Sequence, residues 1–129
     1  MSSHKVLGII GGGQLGSMLC QAAKKIGVKT IIYCDDINSP AQNYSNNFIY
    51  AKYNDETKIK EFTKQVDVVT FEFENIPVPT LKKIQEMKPV YPDPNVNFII
   101  QNRSKEKNFI NELGINTVDY KNIKSNKDL

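Results

Sequence analysis

The sequence predicts an α/β domain in which a mostly parallel sheet of about five strands carries helices on both faces. Short apolar or β-branched runs alternate with amphipathic stretches along the 129 residues. The first apolar run leads directly into a glycine-rich turn at residues 11–16, and an amphipathic stretch follows. Because crossovers between parallel strands are right-handed, we expect the strand order 3-2-1-4-5.

The first half of the chain supplies three of the predicted strands, at residues 5–10, 29–34 and 47–51. A helix at 15–26 follows the glycine turn and ends at Gly27. Its apolar residues recur at helical spacing and are expected to face the core: Leu15, Met18, Leu19, Ala22, Ala23 and Ile26. Turn residues after the second strand lead into a short helix near Pro40.

The second half supplies two further strands, 66–71 and 89–92, and a helix that Asp55 is placed to cap. Its four predicted helices span 55–65, 79–87, 94–100 and 104–113. The predicted core lies on the central strands and the first helix: Val6, Ile9, Leu15, Leu19, Ile31, Ile32, Val68 and Val69.

Composition narrows the class of protein. Hydrophobic residues make up 40% and charged residues 24%, and the net charge of +3 is dispersed along the chain. No basic block indicates nucleic-acid binding, and no apolar run is long enough for a membrane span. Cys20 and Cys34 lack metal-ligand spacing and are expected to be reduced and buried, as in a cytoplasmic protein.

The glycine turn is the first candidate site. Gly11, Gly13 and Gly16 fit G-x-G-x-x-G between a strand and a helix, and Gly12 lies within it. Free N–H groups at the helix start would face an anion, which predicts a phosphate loop. The amide of Gln14 offers both a donor and an acceptor beside it. A purely structural glycine turn is the alternative.

Acidic residues follow two of the predicted strands. Asp35 comes after the second strand, at the distance where a dinucleotide-binding domain holds a ribose hydroxyl, although it also fits an ordinary turn. Glu72 and Glu74 come after the fourth. If the strand continues, these two carboxylates point to the same side, at the sheet edge where ligands collect. The alternative is that one caps the next turn and the other is solvated.

Three motifs resemble the N-terminal, Rossmann-like (pre-ATP-grasp) domain of the 5-(carboxyamino)imidazole ribonucleotide synthetases, ATP-grasp ligases of purine biosynthesis. They lie at residues 11–16, at 68–77 and at 100–115, and their order and spacing match along essentially the whole chain. Two positions depart from the family, since Ser17 stands where Arg is usual and Asn102 where Asp is usual.

The resemblance implies a ligase that converts aminoimidazole ribonucleotide, bicarbonate and ATP, with Mg²⁺, and that is a homodimer as a full-length enzyme. By analogy with a sister ligase, Gln14, Leu15 and Glu72 would contact the ribonucleotide and Arg103 would contact ATP. No catalytic residue and no metal ligand is assigned within these residues.

The resemblance also suggests a domain division. We expect the Rossmann-like domain at residues 1–114 and the start of a linker or ATP-grasp domain at 115–129, so that the 129 residues alone would be inactive. Two alternatives remain open, a NAD(P)-binding domain of an oxidoreductase and an inactive remnant or interaction domain.

Overall fold

The computed structural model describes residues 5–125, which form one five-stranded parallel sheet. Its strands are β1 (Val6–Ile10), β2 (Lys29–Cys34), β3 (Asn47–Tyr50), β4 (Val68–Phe71) and β5 (Val90–Tyr91). The order is β3-β2-β1-β4-β5, and every neighbouring pair is parallel. The predicted fold class and strand order are therefore confirmed.

This part of the chain contains five α-helices and one 3₁₀ helix; the first three α-helices and the 3₁₀ helix connect the strands, and the last two α-helices follow β5. The helices are α1 (Gln14–Lys25), α2 (Glu56–Gln65), α3 (Val78–Gln85), α4 (Pro94–Ile100) and α5 (Arg103–Glu112), with the 3₁₀ helix at Pro40–Asn43. Asp55 caps α2 as predicted, since its Oδ1 accepts from the Lys58 N–H at 3.0 Å. Between 5 and 125, no helix is long and apolar enough to cross a membrane.

Two apolar clusters cover the two faces of the sheet. On one face, Tyr33 packs against Phe62 of α2 with ring centroids 5.5 Å apart, and Leu81 and Ile84 of α3 join the cluster. On the other, buried residues of β1 and β2 pack with Cys20 and the 3₁₀ helix. Four predicted core residues are confirmed as buried: Ile9, Ile31, Ile32 and Val69. Val6 and Val68 are only partly buried.

The prediction for the buried face of α1 is wrong. Leu15 and Leu19 were expected in the core, but they are 57% and 37% exposed. The buried face instead carries Gly16, Ser17 and Cys20, and Ala23 is the one residue of the predicted stripe that is buried. Small residues face the sheet because α1 begins pressed against the glycine turn, where a Cβ on Gly16 would lie 3.0 Å from the Gly11 carbonyl oxygen.

Gly8 is the tightest point of the central sheet for an added methyl group. A Cβ there would lie 2.5 Å from Phe62 Cζ and 3.0 Å from Val66 Cγ1, and Phe62 is fully buried. We expect Gly8→Ala to lower the free energy of unfolding by about 1–3 kcal/mol, the usual cost of overpacking. Urea unfolding of Gly8→Ala and of the wild-type protein would measure this loss of stability.

The control is a double-mutant cycle with Phe62→Leu, which removes the ring atoms that Gly8→Ala would strike. We expect the two changes together to cost less than the sum of their separate costs. Strict additivity would show that the ring is not what excludes a side chain at Gly8.

Candidate functional site

A cavity of about 300 Å³ lies where β1, β2 and β4 end, at the carboxyl edge of the sheet. The glycine turn and Glu72 meet there, and the turn after β2 closes the other side. Its lining residues are Gly11, Gly12, Gly13, Cys34, Asp35, Asp36, Ser39, Pro40, Tyr53, Glu72 and Phe73. The structure therefore brings the predicted glycine loop and the predicted acid of β4 into one site.

The Glu72 carboxylate is bound to the glycine turn itself. Its Oε1 accepts from the Gly13 N–H at 3.1 Å, and the Glu72 N–H donates to the Ile10 carbonyl oxygen at 3.2 Å. Gly11 has a φ of 99°, in the region that favours glycine, and a Cβ there would lie 2.7 Å from Glu72 Oε1. The glycines thus shape a turn that holds a carboxylate belonging to the protein.

The turn after β2 supports the glycine loop from the opposite side. The buried Ser39 hydroxyl donates to the Gly12 carbonyl oxygen, and the Ala41 N–H donates to the same oxygen at 3.0 Å. Sequence patterns did not identify Ser39, because a serine beside a proline is typical of any turn.

Ser17 and Asn102, the two departures from the family pattern, both have local structural roles. The buried Ser17 hydroxyl donates to the Gly13 carbonyl oxygen at 3.1 Å, within the first turn of α1. Asn102 caps α5, because its Oδ1 accepts from the Lys105 N–H at 3.0 Å. Asparagine therefore supplies the same kind of cap that an aspartate would.

The cavity is acidic. Among the described residues that line it, three are Asp35, Asp36 and Glu72, and none is Lys, Arg or His. Burial raises the pKa of the Tyr53 hydroxyl, and the neighbouring Cys34 and Asp35 raise it further, so this hydroxyl stays protonated at neutral pH. Carboxylates accept hydrogen bonds and attract cations, so the lining suits hydroxyl and amino groups better than phosphate.

Four predicted site residues lie outside this lining. Gly16 is buried in the first turn of α1. Gln14 and Leu15 are exposed at the start of α1, immediately after Gly13. Arg103 is the first residue of α5, where its Nη1 contacts Glu106 Oε2 at 2.8 Å and its side chain is 81% exposed. The structure thus places Arg103 apart from the residues around Glu72.

The prediction that Glu72 and Glu74 point together is wrong. It required the extended chain to continue, but β4 ends at Phe71 and the backbone turns at residues 74–75. Glu74 is exposed and does not line the cavity. Because the turn interrupts the strand period of two, Glu72 is the only one of these two glutamates that lines the cavity.

The amide side chains of Asn97 in α4 and of Gln101, the C-cap residue of that helix, hold the segment that carries Glu72, and sequence reasoning missed both. Gln101 Nε2 donates to the carbonyl oxygens of Glu74 and Ile76 at 2.8 and 2.7 Å, and Asn97 Nδ2 donates to Ile76 at 2.9 Å. Their spacing of four residues on one helix was the available signal, because it puts both side chains on one face.

Between residues 5 and 125 there is no cluster of three or more His, Cys, Asp or Glu side chains placed to hold a metal ion. Cys20 and Cys34 are both buried and unpaired, as the sequence predicted.

The known proteins and solved structures that resemble this chain are of one kind. The chain is 42% identical to the N5-carboxyaminoimidazole ribonucleotide synthase of Brucella melitensis over 95% of its own length and 34% of the relative's. It matches the N5-carboxyaminoimidazole synthetase structure from Staphylococcus aureus with a TM-score of 0.87 and 33% identity, over 99% of this chain and 35% of that one.

A third similar structure, the synthase from Aspergillus clavatus in complex with ADP and 5-aminoimidazole ribonucleotide, has a TM-score of 0.77 and 27% identity, over 89% of this chain and 31% of that one. The chain thus spans about a third of the length of these relatives. The model of the ribonucleotide synthetase preATP-grasp domain matches residues 4–101. This match covers most of the chain, which therefore belongs to the ribonucleotide synthetase preATP-grasp domain family.

Proposed function

We propose that this domain binds the ribonucleotide substrate of a ligase that carboxylates aminoimidazole ribonucleotide with ATP and bicarbonate in de novo purine biosynthesis. The observation that carries the proposal is the Glu72 carboxylate, fixed by the Gly13 N–H in an acidic cavity at the sheet edge. Ribose hydroxyls and the exocyclic amine of such a substrate are donors that a carboxylate binds well.

The glycine loop would act through Glu72. A phosphate on Gly13 would have to replace the carboxylate already bound there and lie beside two further acids. We therefore propose that Gly11, Gly12, Gly13 and Gly16 shape the turn that orients Glu72, and that the phosphate of the ribonucleotide points away from this loop. Gln14 and Leu15, which follow the loop directly, would contact the same substrate at the rim.

The nucleotide would bind elsewhere in the full-length ligase, with Arg103 as this domain's contribution. Its exposed guanidinium group is free to form a two-pronged contact with a phosphate once it leaves Glu106. Mg²⁺ and bicarbonate would bind with ATP outside the described residues. The same proposal includes a domain boundary at 114–115, a homodimeric full-length enzyme and a cytoplasmic location.

The test is calorimetry on the full-length protein that carries this domain. We expect aminoimidazole ribonucleotide to bind and NAD⁺ to give no heat of binding, because the carboxylates of the cavity would repel a pyrophosphate. Formation of ADP should require both the ribonucleotide and bicarbonate. Binding of NAD⁺ without binding of the ribonucleotide would instead favour a dinucleotide-binding domain.

A further inference from the structure

We propose that Gln101 couples the ribonucleotide site to the ATP site, as a positioning residue that ties the Glu72 segment to the start of α5. The inference rests on the proposed function, because it assigns the two ligands to Glu72 and Arg103. It adds a residue that contacts neither ligand and sets how strongly the binding of one changes the affinity for the other.

The segment between β4 and α3, residues 72–77, depends on α4 for its shape. Within it, the Ile76 N–H donates to the Phe73 carbonyl oxygen at 3.3 Å, and the segment forms no helix or strand. Asn97 of α4 and the C-cap residue Gln101 supply donors to two of its carbonyl oxygens, those of Glu74 and Ile76. A displacement of Glu72 by a bound ligand is therefore transmitted to α4 through these bonds.

Asn97 and Gln101 differ in how easily their hydrogen bonds to this segment can break. Asn97 is fully buried, and its bond to the Ile76 carbonyl oxygen fixes one end of the segment. Gln101 is exposed and bonds both Ile76 and Glu74. Because Asn97 remains as a donor to Ile76, Gln101 can break and remake its bonds without leaving that buried carbonyl unsatisfied. Gln101 is thus the adjustable contact.

Only one residue separates Gln101 from Arg103. Gln101 is the C-cap residue that follows α4, and its N–H donates to the Asn97 carbonyl oxygen at 3.0 Å. Asn102 then caps α5, whose first residue is Arg103. Because only Asn102 lies between them, a displacement of Gln101 together with the segment that it bonds would be passed along the backbone to the start of α5 and to the guanidinium group of Arg103.

The test measures how each ligand changes the affinity for the other in the full-length ligase. Affinities for aminoimidazole ribonucleotide and for a non-hydrolysable ATP analogue are measured separately and with the second ligand saturating. We expect each ligand to tighten the other by the same factor, about fivefold or more, because such coupling is reciprocal. In Gln101→Met, which keeps the length of the side chain and removes its N–H donors, that factor should fall to within about twofold of one.

Gln21→Met is the matched control. Gln21 is also exposed, and its Nε2 donates to a carbonyl oxygen, that of Ser17 at 3.3 Å, but within α1. This variant should keep the wild-type coupling, and thermal unfolding would verify that both variants fold. Gln101→Glu, which also lacks the donors, repeats the test should the methionine variant unfold.

Undiminished coupling in the Gln101 variants, or a wild-type protein whose two ligands bind independently, would overturn the inference while leaving the proposed function intact. A wild-type protein that binds no aminoimidazole ribonucleotide would overturn both, so the two failures are distinguishable.

Discussion

Under the proposed function, Glu72→Gln in the full-length protein should weaken the binding of aminoimidazole ribonucleotide about tenfold to a hundredfold, the loss of a charged hydrogen bond worth roughly 1.5–3 kcal/mol. The Gln side chain keeps an oxygen that can accept from the Gly13 N–H, so the loop keeps its shape. What changes is the other end of the group, which loses its negative charge and becomes a donor facing the donors of the ligand.

Affinity for ATP, measured without the ribonucleotide, should stay nearly unchanged in Glu72→Gln, because Arg103 does not line the same cavity. Glu74→Gln is the matched control. Its side chain is exposed, and its contact with Gln101 is made by the backbone carbonyl oxygen. Titration calorimetry on both variants decides the matter: ribonucleotide binding that depends on Glu74 and not on Glu72 would contradict the site described above.

Gly11→Ala should both destabilise the domain and weaken ribonucleotide binding. At a φ of 99° an alanine is strained, and its Cβ would also lie 2.7 Å from the Glu72 carboxylate oxygen. Backbone strain and overpacking together are expected to lower the free energy of unfolding by about 2–5 kcal/mol. Relief of that contact would move the carboxylate away from Gly13, so affinity for the ribonucleotide should fall as well.

Gly13→Ala, two residues along the same turn, provides the comparison. Gly13 has a φ of −70°, and an added Cβ would lie 3.4 Å from Glu72 Oε1, an ordinary contact. We expect its free energy of unfolding to change by less than about 1 kcal/mol. Urea unfolding and calorimetry would measure both variants, and equal effects at Gly11 and Gly13 would show that neither φ nor the carboxylate governs this turn.

Where the pattern of side chains is local, the sequence was a sound guide to the fold. Strand β2 was predicted at its observed bounds, because a short β-branched and apolar run such as residues 30–34 is typical of a buried strand. Except at Ala23, the prediction for the buried face of α1 was wrong because periodicity identifies the largest apolar side chains, whereas the face that packs on the sheet carries the small residues Gly16, Ser17 and Cys20. The face of a helix that packs on the sheet depends on the distance between the helix and the sheet, and a local sequence pattern does not determine that distance.

The candidate site was predictable to a similar extent. Topology alone brings a residue after β4 next to the turn after β1, since the two strands are neighbours in the sheet. The bond between Glu72 and Gly13 could not be predicted, because topology brings these two segments together but does not fix the conformation of the Glu72 side chain. The bonds of Gln101 were missed because its partners are backbone carbonyl oxygens, which every residue has and which no sequence pattern distinguishes.

The glycine turn has a consequence for how such sequences evolve. Gly11, Gly12 and Gly16 are each required by atoms of the protein itself, namely Glu72, Ser39 and the Gly11 carbonyl oxygen. Selection for folding alone would therefore preserve these glycines in a descendant that had lost its ligand. Among diverging copies, retention of the glycines would then report that the domain still folds, whereas replacement of Glu72 would, under the proposed function, report a change of substrate.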